Sequence, residues 1–187
     1  MNELQEYKDL YHDELQMTEY LNSKITNSIT FLTIIGTANV LLLKNLFPIE
    51  ASFWSIFYLI ICLTNIIIFL FTVYRFVKAY TGHTYLYFYI TDIMSKCEQF
   101  KKNILKQIKS QDFDVAEEKI IPIVNKKREN WIIKEYLRCA EFNRASNNKK
   151  SQELYKLSHT IILNIIIVFM SFIIYIIKIN LGGIFKC

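Results

Sequence analysis

The chain has little that breaks a helix: four glycines and two prolines among 187 residues. It also shows no strand-like alternation longer than a few residues, while 52% of it is apolar and 15% aromatic. That combination predicts an almost entirely helical chain, partly in lipid. Cysteine is sparse as well, four in all, and no two are spaced like zinc ligands, so neither a disulfide framework nor a metal site is expected. Phosphate-cradling glycine loops, a G-x-S-x-G elbow and an H-E-x-x-H helix are missing, as is the arginine-then-histidine signature of HEPN ribonucleases. His12, His83 and His159 are scattered, and the acids of "DFDVAEEK" near Lys119 have no strands to carry a metal nuclease. No enzyme, no cofactor and no metal is the expectation. The acidic start, "MNELQEYKDLYHDELQMTEYLNSK", lacks a basic region ahead of a short apolar core, which argues against a cleaved secretory signal.

Charge is absent from three long stretches, 25–43, 53–74 and 160–177, each close to the ~20 residues that cross a hydrocarbon core as a helix. The fold class expected is an all-α membrane protein with three transmembrane helices and a cytoplasmic amphipathic helical hairpin, whose last helix continues into the third span. The segments are an acidic amphipathic helix (1–24), a transmembrane hairpin turned at Pro48 (25–77), a helical sensor or assembly region (78–156), the third span (157–179) and an external tail (180–187). In 78–156, apolar residues from Leu86 to Ile108 recur at steps of three and four, and Asp114 with Glu117 suits a capping box. Pro122 is expected to kink or restart the following helix, after which nothing interrupts a helical reading from 123 to 179, a rod of roughly 80 Å.

Lysine and arginine set the orientation. Seventeen of the 22 lie between Arg75 and Lys156, whereas the 44–52 link holds only Lys44. Positive-inside therefore puts the N-terminus and residues 75–156 in the cytoplasm, and the 44–52 loop and Cys187 outside. Residues 1–22 carry six acids against one lysine, so they could lie against the basic region or form a solvated face.

Two constellations carry candidate chemistry. Thr26, Thr30, Thr33 and Thr37 stack on one face of the first span, and the line continues to Lys44. Small hydroxylated residues serve helix packing, but the same face could line a conduit built from several protomers. Weaker polar lines run through Cys62, Asn65 and Thr72, and through Thr160, Asn164, Ser171 and Tyr175. The second constellation precedes the last span: Asn143 and Asn147 fall in a helical seam with Tyr136, Ala140 and Leu154. Around them stand Lys126, Lys127, Arg128, Arg138, Arg144, Lys149 and Lys150, with Trp131 and Tyr136. Cations, amides and aromatics together suit a phosphate-bearing ligand such as a nucleotide. The plainer readings are positive-inside bias, contact of Lys149, Lys150 and Lys156 with anionic lipid, and asparagines that fix helix register.

Ser23 and Lys24 ahead of the first span, in "EYLNSKITNSITFLTIIGTANVLL", form one of two places where the chain resembles a family. The other is "YLRCAEFNRASNNKKSQELYKLS", with Tyr136, Ala140, Asn143, Asn147, Lys150 and Leu154. Both resemble bacterial antiphage membrane effectors of the Pycsar transmembrane and SLATT-like group. The resemblance implies a homo-oligomeric pore or ion channel of the bacterial inner (plasma) membrane acting in abortive infection, gated by a cyclic or linear oligonucleotide and paired with a nucleotide-signal-synthesising or nucleic-acid-sensing protein. No appended sensor domain is recognisable here. An accessory membrane protein anchoring a cytoplasmic defence enzyme, and a holin-like membrane disruptor, are the alternatives.

Overall fold

The computed structural model describes residues 3–45, 53–109 and 117–184. Every regular element among them is a helix: α1 (Glu3–Lys44), α2 (Phe53–Tyr80), α3 (Ile90–Lys109) and α4 (Glu117–Ile184). Within α1, α2 and α4 lies a segment long and apolar enough to cross a membrane. Pro48, Asp114 and Cys187 lie outside the described residues. Pro122 falls inside α4, which continues through it rather than restarting. It is the sixth residue of α4, so it forgoes one hydrogen bond, to the Glu118 carbonyl, with only five helical residues before it.

The chain divides into two compact units, residues 1–19 with 84–147, and residues 20–83 with 148–187. In the second unit α1 and α4 run parallel and α2 antiparallel to both, as Asn39–Asn65, Thr72–Asn164 and Tyr58–Tyr175 contacts require. The buried residues of α1 here are Leu21, Ile25, Ser28, Leu32, Ile35, Asn39 and Leu42, at alternating steps of four and three. On α4 the same alternation runs through Lys150, Leu154, Leu157, Ile161 and Asn164, then through partly buried Val168 to Ser171. Tyr58, Cys62, Asn65 and Thr72 continue it on α2, with Phe69 between the last two. A repeat of about 3.5 residues is the seam of a left-handed coiled coil. Gly36 belongs to that packing: a Cβ there would meet the Phe69 Cζ at 3.3 Å.

Gly82, at φ 82°, follows the end of α2 in a left-handed conformation that costs a side-chain-free residue little. Residues 83–89 then run without helix, and α3 begins only at Ile90, so Leu86 does not start the amphipathic helix expected there. The tyrosines at 85, 87 and 89 alternate with Leu86 and Phe88, a period that suits an extended strap. In the first unit this strap packs Leu86 and Phe88 against a core of Tyr11, Cys139 and Ala140, with Tyr136 beside them. Of the expected α3 stripe, Ile93 and Cys97 are buried, while Ile90 is exposed.

Candidate functional site

Asn143 and Asn147 stand one turn apart on α4, both fully buried, and face the first unit's other segments. The Asn143 carboxamide accepts the Leu86 N–H at 2.8 Å and donates to the Leu86 carbonyl at 3.0 Å. One side chain thus takes the place of a neighbouring β-strand for the strap. Ser146 Oγ donates to the Thr84 carbonyl at 2.6 Å, and the Phe88 N–H donates to the Tyr11 hydroxyl at 3.1 Å. Phe88 stacks on Tyr136 with ring centroids 4.1 Å apart.

Asn147 performs the corresponding task for α1. Its Nδ2 donates to the Glu14 carbonyl at 2.8 Å and to Glu14 Oε2 at 3.0 Å, while its Oδ1 accepts from Thr18 at 3.1 Å. Arg144 Nε donates to Glu14 Oε1 at 2.9 Å. Both asparagine amides are therefore occupied by the chain itself, and any ligand for them would have to displace a strap or a helix. Burial holds the hydroxyls of Tyr85 and Tyr136 and the thiol of Cys139 above their ordinary pKa values, so all three stay protonated near neutrality.

Of the expected cations, Arg144 shares Glu14 with the Asn147 amide, whereas the others lie elsewhere. Lys126, Lys127 and Arg128 are exposed about four turns of α4 before Asn143. There Lys127 lies 6.0 Å from the Phe100 ring centroid and 5.9 Å from that of half-buried Trp131. Arg138 pairs with Glu135 and Arg144 with Glu14. Lys149 and Lys150 belong to the second unit: Lys149 is exposed, while Lys150 is buried and donates to Asn22 Oδ1. Burial lowers the Lys150 pKa, and burial and Lys150 keep His83 below the ordinary histidine value. Glu153 gathers three cations, Lys156 at 3.1 Å, Lys78 at 3.3 Å and Arg75 at 3.5 Å.

In the second unit Thr26, Thr30, Thr33 and Thr37 are all exposed, as is Lys44. At 100° per residue they occupy the side of α1 opposite its buried seam. Thr33 and Thr37 donate back to the carbonyls of Ile29 and Thr33 at 3.0 and 2.9 Å. The polar residues inside the bundle come instead from the weaker lines. Asn65 Nδ2 donates to Asn39 Oδ1 at 2.6 Å, Asn164 Nδ2 to Thr72 Oγ1 at 3.3 Å, and Ser171 is buried. Asn39 Nδ2, Asn65 Oδ1 and Asn164 Oδ1 have no partner. Asn39, Glu14, Tyr11 and Glu153 were not expected at a site. The first three could have been found from the four-three spacing of Tyr11, Glu14, Thr18, Leu21, Ile25, Ser28, Leu32, Ile35 and Asn39. No protein-family model, no curated protein and no solved structure matches the chain.

Proposed function

We propose that this protein is a homo-oligomeric membrane effector of the bacterial antiphage kind, a pore or ion channel gated by a nucleotide or oligonucleotide signal. Its N-terminus and residues 75–156 are cytoplasmic, and residues 78–156 hold the signal-responsive helices. The observation that carries the reading is the exposed threonine face of α1: four hydroxylated side chains in an apolar segment, turned away from α2 and α4 and ending at Lys44. Several copies placed around an axis would turn these faces toward one another, and the conduit would then lie between protomers. Three helices packed on a continuous seam leave no pore of their own.

In this reading the asparagine clamps are the gate's latch. A signal acts by binding better to the form in which the strap or the start of α1 has left Asn143, Arg144 and Asn147, because only differential affinity shifts populations. Lys126, Lys127, Arg128 and Trp131 supply a first landing place for phosphates and bases. Alanine at both Asn143 and Arg144 is expected to abolish the response to signal while membrane insertion persists; an unchanged response removes the latch. Cysteine at Thr33 is expected to cross-link neighbouring protomers, and a solely monomeric product contradicts the shared face.

One observation favours a second reading, an anchored scaffold. Ile90 and Met94, one turn apart on α3, are exposed in the first unit. Such a surface suits a cytoplasmic partner. Lysine at Met94 would then abolish capture of that partner and leave ion permeability unchanged.

A further inference from the structure

Within the second unit a groove of about 530 Å³ runs between α1 and α4. Its lining changes character along its length. Lys24, Asn27 and Ser151 stand at one end, Ser158 lies midway along the α4 side, and Phe31 and Ile165 come further along. The floor is mainly apolar, with Leu21, Leu154 and Ile161 all under a tenth exposed, and buried Ser28 beside them donates its hydroxyl to the Lys24 carbonyl. Because α1 and α4 run parallel here, both lose polarity in the same direction, from ammonium, amide and hydroxyls to bare hydrocarbon. The change falls where the uncharged stretches of both helices begin, at 25 and 160.

We infer that this groove is a binding site for one anionic phospholipid per protomer, its phosphate at Lys24, Asn27 and Ser151 and an acyl chain along Phe31 and Ile165. The charge fits: Lys24 is exposed, and its Nζ lies 4.5 Å from the Tyr20 ring, which fixes its place beside the groove without neutralising it. The shape fits as well. An amphiphile matches a groove that is polar at one end and apolar at the other. Tyr155, exposed at the polar end, is the kind of residue that settles at headgroup level. At 100° per residue the groove's Lys24, Asn27 and Phe31 are centred about 120° round α1 from the threonine face, so lipid and a neighbouring protomer can be held side by side.

The test is native mass spectrometry of the full chain in detergent, offered equal amounts of phosphatidylglycerol and phosphatidylcholine, with glycerol phosphate in a separate arm. The expected result is a retained adduct of one phosphatidylglycerol per protomer and none of glycerol phosphate. Lys24→Glu should weaken that adduct about fivefold, corresponding to the ~1 kcal/mol that one lysine contributes near an anionic surface. Lys24 is exposed, so this substitution leaves the fold in place, and helicity by circular dichroism checks it. Ser158→Phe, which fills the middle of the groove from the other helix, should displace the acyl chain and remove the adduct with Lys24 intact. Equal retention of both lipids, or an adduct untouched by both substitutions, overturns the assignment. Binding of glycerol phosphate alone removes its apolar half. Disulfide-linked dimers through cysteine at Asn27 would give the groove to a second copy instead. None of these outcomes depends on ion flux, so the lipid site stands or falls apart from the pore.

Discussion

Asn143 has two hydrogen bonds to one residue's backbone, so one substitution removes the partner of both a donor and an acceptor. Alanine there leaves the Leu86 N–H and carbonyl unpaired, at a cost of about 2–4 kcal/mol from two partly buried groups. Aspartate is expected to be worse than its size suggests, since it keeps the acceptor but sets a charged oxygen against the Leu86 carbonyl. Thermal unfolding of the detergent-solubilised protein checks both; a shift within error for alanine means the strap is held by something else. The Asn39–Asn65 pair behaves differently, because each amide carries one partner and one orphan atom. Leucine at Asn65 alone should destabilise by ~1–2 kcal/mol, as interhelical bonds in membranes do, whereas leucine at both positions should recover most of that loss. A strictly additive double variant would show that the two amides do not depend on each other.

Elements are decided by periodicity, and here two periods compete. Gly82 ends α2 in a left-handed conformation with open space around its Cα, so Gly82→Ala should cost about 1–2 kcal/mol from the backbone alone. Gly82→Asn should lose less, because asparagine tolerates that region, and equal losses would point to packing instead. The helical spans were legible in the sequence, since uncharged runs of this length are hard to read otherwise. What was not legible is which face each helix buries. The threonines of α1 and its buried residues both step by four and three, so spacing alone cannot separate an outward stripe from the seam. Leu86 was misplaced for a related reason: its i+4 relation to Ile90 continues the α3 stripe, while the two hydrogen bonds that hold it extended come from a residue 57 positions away. Of the expected ligand set, Arg144 and Asn147 meet on Glu14 while Asn143 holds Leu86; the spacing of α1 places Glu14 on the seam, but its pairing with residues 130 and 133 positions away is not legible in sequence.

For the molecule as a whole, charge at the edge of the spans should set its pH tolerance. Glu153 meets Lys156, Lys78 and Arg75, and hydrogen bonding to Lys156 chiefly holds its carboxyl below the usual glutamate value. A depressed folded pKa contributes stability that is complete above the unfolded value of about 4.3 and is lost as the pH falls through the lower folded value. Acid unfolding of Glu153→Gln should therefore be less steep across that window than the parent's, and an identical profile means the three cations contribute nothing net. The same molecule is proposed to conduct only as an assembly and only on signal. Ion flux through liposomes holding the purified protein, with and without a panel of cyclic and linear oligonucleotides, tests this most directly, alongside Thr33→Leu. The expected result is flux that changes with one ligand and is altered by Thr33→Leu. Absence of flux under every condition, or flux indifferent to both ligand and Thr33→Leu, would contradict a gated conduit lined by the threonine face.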